Sequence, residues 1–412
     1  MSTITMELNG YNYDTWKSAK IERALDNMVG SFAFEAVSDA NEPFPVKRGD
    51  SCRISINGTP VITGFVDVIH VEYGAMEHKI AIAGRDKTCD VTDSHIDAGL
   101  EFKAPITLED VIKKVLEQLE IEDMEVINKV EGLEPFKKEE LVSGKVGEKA
   151  FEFIDKYASK RQVVLTTDGK GNIVIARASE ELTELRLQNL ISSPFNTIMK
   201  ASAEFNDHDR FNLYKFTTQA NHSAEPDSTE EPKESCKRDA IWYDDQIRKT
   251  RKYVAIAEGC AKKTEIKNRA RWEANLREAK SFTYTVTVAE LSPHSHDGEP
   301  WQPNTLLTVT DEFADIDCEL LVIDVKQSIS LTGGAQSGGH GEAKGKMQKK
   351  GGGHSSHGTV TTLTLLSVEA FKLMLEENSA AEKGKGKTAD ESKYVSNDAQ
   401  EYFDKYQEKG SN

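Results

Sequence analysis

Residues 83–93 read AGRDKTCDVTD and place Arg85, Lys87, Thr88, Thr92 and the carboxylates Asp86, Asp90 and Asp93 directly after an alternating run, HKIAIAG. Such a stretch could cradle a phosphate, hold a cation or move a proton. A phosphate loop needs several glycines, so that successive N–H groups can point inward. This stretch has only Gly84 and lacks a G-x-x-x-x-G-K-[ST] pattern. A metal site would require the three carboxylates to converge, and nothing in their spacing enforces that. Charged turn residues after a strand are common, which favours a structural corner.

Other candidates weaken in the same way. His340, His354 and His357 lie in GGAQSGGHGEAKGKMQKKGGGHSSHG, residues 333–358. The H-x-x-H pair could bind zinc if a helix or turn fixed it, but ten of these 26 residues are glycine, so ordering them is costly. A flexible hairpin insertion with solvated histidines is expected. His294 and His296, in SPHSHDGEPW, read as turn residues. Arg269, Arg271 and Arg277 beside Trp272 could suit a nucleic acid. The interleaved Glu265, Glu273 and Glu278 favour a salt-bridged helix face instead. The five cysteines are odd in number, widely spaced and free of C-x-x-C pairs, as for reduced thiols in a protein assembled in the cytoplasm. With no G-x-S-x-G, H-E-x-x-H or G-x-G-x-x-G pattern either, no catalytic residue, cofactor or metal is assigned.

Length and charge set the frame for these residues. The chain has 412 residues, enough for two to four domains, and is 38% hydrophobic and 29% charged. Its 52 basic and 69 acidic residues give a net charge of −17, poor for clamping DNA along a surface. No apolar run is long enough to span a membrane, so no membrane insertion is expected. The first residues lack the basic and apolar regions of a secretory signal.

The elements follow from periodicity. SFAFEAV (31–37), CRISING (52–58), VITGFVDVIHVEY (61–73) and HKIAIAG (78–84) alternate at period two between turn signals, predicting a small barrel or sandwich over 1–97. TLEDVIKKVLEQLEI then predicts a helix with Thr107 as N-cap, and GEKAFEFIDKYASKR a second. VVLTTDGKGNIVIARA predicts a hairpin. Residues 98–194 are thus expected to form a small α+β unit. A second β region, 195–375, holds strands at 211–219, 281–291, 305–311, 318–331 and 359–371, a helix over 261–280 and mobile insertions at 223–238 and 333–358. The polar residues 376–412 read as a largely flexible tail. The fold class is α+β, mainly β.

Taken in order, these motifs resemble the baseplate hub proteins of Mu-like contractile-tailed phages, the late control D or tail protein P family. TPVITGFVDVI followed by HKIAIAGRDKTCDVTD is similar to the family's strand–G-R-D-K-T–strand-end signature. YNYDTWKSAKIERALDNMVGSFAF, EKAFEFIDKYASKRQVVLTTDGKGNIVIARA, DHDRFNLYKFTTQ, RARWEANLREAKSFTYTVTV and EPWQPNTLLTVTD follow in the family's order over roughly residues 1–371. The resemblance implies two tube-like β-barrel domains with the α+β unit inserted, assembling as a pseudo-hexameric trimer around a channel. It implies a structural virion protein, assembled in the host bacterial cytoplasm, that adapts a sixfold tail tube to a threefold spike. Implied partners are further copies of the chain, the central spike protein, a tail tube or tube-initiator protein, baseplate wedge proteins and the tape-measure protein, with DNA only as transient cargo. Gly84, Arg85, Asp86, Lys87 and Thr88 then read as a structural signature: Gly84 permits a bend, and Arg85 and Lys87, with Asp86 and Asp90, form salt bridges within or between subunits. The insertion at 333–358 and the tail depart from the family pattern. The alternatives from other classes are a peptidoglycan-binding module and a hub-borne cell-wall hydrolase.

Overall fold

The computed structural model describes residues 3–372 except 15, 38–45, 75–77, 98, 138–141, 218–238, 257–262, 294–297 and 333–355. The expected insertions at 223–238 and 333–358, the tail, His294, His296, His340 and His354 therefore lie wholly or almost wholly outside the described residues. So do Cys236 and Cys260.

Alternation builds the first lobe. The strands are β1 (Ile4–Leu8), β2 (Tyr11–Tyr13), β3 (Ser18–Ala24), β4 (Ser31–Val37), β5 (Ser51–Ile56), β6 (Thr59–Tyr73) and β7 (His78–Asp86). They lie in the order β3-β4-β7-β6-β5-β1-β2, each pair antiparallel. Every second residue, such as Ile4, Met6 and Leu8 or Phe32 and Phe34, enters one apolar core.

At Asp86 the period changes. Helices α1 (Cys89–Asp93), α2 (Leu108–Gln118) and α3 (Ala150–Lys160) pack with a three-stranded sheet of β9 (Val126–Asn128), β11 (Val164–Thr167) and β12 (Ile173–Ala176). A short pair, β8 (Leu100–Glu101) with β10 (Ser143–Gly144), completes the unit. The Thr107 hydroxyl accepts from the Asp110 N–H at 3.1 Å, which caps α2 as the sequence predicts. Leu108, Val111, Ile112, Val115 and Leu116 turn inward, each contributing roughly 1.5–3 kcal/mol. They meet Phe136, Phe153 and Tyr157 in a second core.

The second lobe comprises β13 (Leu182–Asn189), β14 (Ile198–Phe205), β18 (Phe282–Val288), β19 (Leu306–Asp311), β20 (Ile316–Thr332) and β21 (Ser356–Leu366). Its order is β14-β18-β21-β20-β19-β13. β13 falls inside the range expected for the middle unit, yet it pairs with β19; its half-polar sequence LTELRLQN carries only a weak strand signal. Between β14 and β18 a smaller sheet, β16 (Asp239–Tyr243), β15 (Leu213–Thr217) and β17 (Lys252–Ile256), packs on α4 (Lys263–Ala279) through Tyr214, Phe216, Ala240, Ile266, Ala270 and Ala274.

The two lobes repeat one plan. In chain order β1, β3, β4, β5, β6 and β7 correspond to β13, β14, β18, β19, β20 and β21, and the neighbours within each lobe match. One pairing differs in direction: β1 is antiparallel to β5, whereas β13 is parallel to β19. The lobes share a continuous 13-stranded sheet because residues 324–330 of β20 pair with β3, from Asp324↔Ala24 to Ser330↔Ser18.

Candidate functional site

The signature residues stand where the first lobe hands over to the middle unit. Gly84 lies inside β7, not at a bend. A side chain there would place its Cβ 2.0 Å from the Phe65 carbonyl oxygen and 2.5 Å from Phe32 Cζ, so the glycine is required for close approach of β6 and β4. Arg85, the next residue, is part-exposed and bridges Asp67 at 2.7 Å and Asp93 at 2.9 Å. It thereby ties β6 to α1.

Asp86 is fully buried and points the other way. Its carboxylate accepts from the Thr88 N–H at 3.1 Å, the Thr88 hydroxyl at 3.0 Å and the Thr167 hydroxyl at 3.2 Å. Burial pushes Asp86 up to about 6, against the opposing pull of these Thr88 and Thr167 bonds. The Thr88 hydroxyl shares its one proton between Asp86 and the Met28 carbonyl at 2.8 Å, closing a clasp between the β3–β4 turn, the β7–α1 corner and β11. Lys87 pairs with the Asp123 carboxylate at 3.2 Å and also donates to the Asp123 carbonyl. Its methylene stem covers Gly171, where any Cβ would clash at 2.5–2.8 Å. Thr63 on β6 bonds the Gly169 carbonyl at 2.9 Å, so the DGKGN turn is held from two sides.

The expected ion pairs therefore form with different acids. Asp86 is committed to hydroxyl and amide donors below the surface, while Arg85 and Lys87 reach outward to Asp67, Asp93 and Asp123. Asp90 faces the Cys89 thiol at 3.8 Å. The partners Thr63, Asp67, Asp123 and Thr167 are distant in sequence and carry no local signal; only the glycines of DGKGN hinted at a close approach.

The corner offers little chemistry. Burial pushes the Cys52 and Cys89 thiols up to about 12, which leaves no reactive thiolate. Among the described residues no group of three or more His, Cys, Asp or Glu is arranged to hold a metal ion. On α4, Glu273 bridges Arg277 at 2.9 Å and Arg269 at 3.7 Å, and Glu278 approaches Arg210 at 3.7 Å. Arg269 stacks over Trp272 at 4.2 Å, and Arg277 over Tyr253 at 4.5 Å. The basic cluster is thus occupied by acids and rings, as the interleaved glutamates predict. No described helix is long and apolar enough to cross a membrane.

A second joint was not anticipated from sequence. Arg23 on β3 is buried between the lobes and donates to the Gln302 side chain, the Trp301 carbonyl and the Gln327 side chain on β20. Burial among these uncharged acceptors lowers it to about 10. Gln327 in turn donates to the Leu291 carbonyl at 2.7 Å.

Comparison with known proteins follows the same seam. Residues 3–86 match the family of Mu phage baseplate assembly proteins, GpP-like, N-terminal domain. Residues 88–177 match the second domain of the gp44-like baseplate hub proteins. Lys87 alone separates the two. The chain is 26% identical over 329 residues to the baseplate hub protein gp44 of Escherichia phage Mu, covering 79% of this chain and 83% of that one. Its fold is similar to that of the 43 kDa tail protein of prophage MuSo2 from Shewanella oneidensis, with a TM-score of 0.67 at 24% identity over 90% of this chain and 99% of the other. A tail protein from Neisseria meningitidis MC58 matches equally well, with a TM-score of 0.67 at 18% identity over 90% and 98% of the two chains. In its two leading domains the chain matches Mu-like phage baseplate hub proteins, and in fold it is similar to Mu-like tail proteins.

Proposed function

We propose that this protein is the homotrimeric hub of a contractile tail baseplate, adapting a sixfold tail tube to a threefold spike around a central channel. The observation that carries this reading is the repeated lobe plan. One chain supplies two equivalent lobes side by side, so three chains supply six. A ring of six equivalent lobes made from three copies offers sixfold contacts on one face and threefold contacts on the other. Each lobe, on this reading, is a tube-like barrel, with the unit over 98–194 and the α4 insert outside the ring.

The work is mechanical, and the clasp at Asp86 and Thr88 suits it. Buried hydrogen bonds fix the angle between the first lobe and the middle unit, so load passes through a stiff corner. The net charge of −17 suits a conduit that DNA passes without sticking. Partners on this reading are further copies, the spike, a tube or tube-initiator protein and wedge proteins. The place of action is the virion tail, after assembly in the host cytoplasm. The test is light scattering on the purified protein with negative-stain images of the same peak. A mass near three times 45.8 kDa and rings with a central hole are expected. A compact monomer that forms no ring when mixed with a spike protein would overturn the reading.

A further inference from the structure

The internal repeat leaves one joint unmatched. Within the chain, β20 of the second lobe pairs with β3 of the first. The equivalent strands in the opposite sense are β6 of the first lobe and β14 of the second. The ladder between β5 and β6 ends at Phe65, and Val66 still bonds Gly49 and Asp50, whereas β6 continues to Tyr73 with β7 along its other edge. Among the described residues, strand β14 is the terminal strand of the large sheet and pairs with β18 alone. We propose that β6 of one copy pairs antiparallel with β14 of the next, repeating between copies the joint that β20 and β3 make within one.

The repeat also fixes the register. Both long strands carry a bulge at the same place, between Val66 and Val68 in β6 and between Val322 and Asp324 in β20. Val66 opposes Gly84 as Val322 opposes Leu365, which equates Val71 with Gln327. Phe32 opposes Gly84 and Ile21 opposes Phe32; Tyr284 opposes Leu365 and Ala203 opposes Tyr284. Ala203 is therefore the counterpart of Ile21. Since Gln327 opposes Ile21, Val71 opposes Ala203.

The resulting pairs are Ile69 with Phe205, His70 with Glu204, Val71 with Ala203, Glu72 with Ser202 and Tyr73 with Ala201. Two independent features agree with this alignment. His70 meets Glu204 where, inside the chain, Lys326 meets Glu22 at 3.7 Å. The exposed apolar side chains Val71 (54%), Tyr73 (79%) and Phe205 (65%) all fall on the face that continues the two lobe cores. Pairing covers them and occupies two strand edges that are open among the described residues.

This inference rests on the trimeric hub reading, which sets the number of copies that close the ring. The test joins Val71→Cys with Ala203→Cys in the full-length chain, followed by mild oxidation, non-reducing electrophoresis and light scattering. Directly opposed cysteines on paired strands fall within disulfide reach. Covalent dimers and trimers are expected, and their loss when Glu72→Cys replaces Val71→Cys, because that residue faces the other side of the sheet. A trimer in which the first pair gives no cross-link overturns this interface and leaves the hub reading standing. A monomer throughout overturns both. Independently, Glu204→Lys is expected to lower the trimer fraction and His70→Glu in the same chain to restore it; failure of that rescue counts against the register.

Discussion

At Asp86, burial and bonding oppose each other, and the balance defines what the residue does. Its carboxylate is withdrawn from water and repaid by three donors from Thr88 and Thr167. Replacing Asp86 with alanine strands the Thr88 N–H and the Thr167 hydroxyl, while the Thr88 hydroxyl keeps the Met28 carbonyl. The expected cost is about 1–3 kcal/mol, with larger loss in the middle unit's docking than in its own core; denaturant unfolding compared with a fragment-level probe of hydrogen exchange would measure both. Gly84→Ala acts differently. Its Cβ meets backbone at 2.0 Å, so the β6–β7 ladder must spread. A cost of about 1–3 kcal/mol or more is expected, visible as a lowered midpoint without a changed oligomer interface. The signature tolerates no side chain at Gly84 for reasons of packing, and its charged neighbours are tethers.

At the scale of elements, one buried and two half-buried carboxylates mark the places where units meet. Besides Asp86, Asp155 on α3 is pushed up to about 6 by burial and by the nearby charge of Asp26. Asp324 on β20 is likewise pushed up to about 6 by burial and Asp26, against the pull of Lys326 and a bond to Thr364. All three folded values lie above the ordinary carboxylate value, so the folded state binds more protons than the unfolded chain between pH ~4 and ~6. Stability therefore falls as pH rises through that window and is flat above it as far as these groups are concerned. Lowering the pH from about 7.5 to about 5 is expected to raise the melting temperature by a few degrees, roughly 1–3 kcal/mol in net effect. Asp155→Asn should flatten that dependence in thermal scans. A melting temperature that drops steadily on mild acidification would sink the assignment.

At the scale of the molecule, the insert between β14 and β18 has its own core and hangs from one hairpin. Phe205 and Phe282 are directly paired at its neck, with ring centroids 5.1 Å apart. Replacing residues 206–281 with a two-residue Asn-Gly turn should leave the 13-stranded sheet intact, because the ladder on either side already holds the ends together. Retained β-type circular dichroism with less helical signal, and unfolding that stays cooperative, is the expected result. Collapse of the whole chain would mean that the insert supports the lobe.

The sequence by itself determined the local elements, since period and turn chemistry are short-range. SFAFEAV is a strand, Thr107 caps a helix, and DGKGN joins two strands, all as their patterns require. The ordered motifs likewise sufficed to point to the hub family. What the sequence could not decide is which distant groups meet. The partners of Arg85 and Lys87 were Asp67, Asp93 and Asp123, although Asp86 and Asp90 are nearer along the chain. Alternation in a strand sends Asp86 to the opposite face from Arg85, and burial then commits it to hydroxyls. The weak strand β13, buried Arg23 and the continuous sheet through β20 and β3 all depend on contacts more than a hundred residues apart. Tertiary structure alone brings those edges together, because a strand's pattern names its buried face and says nothing about its neighbour.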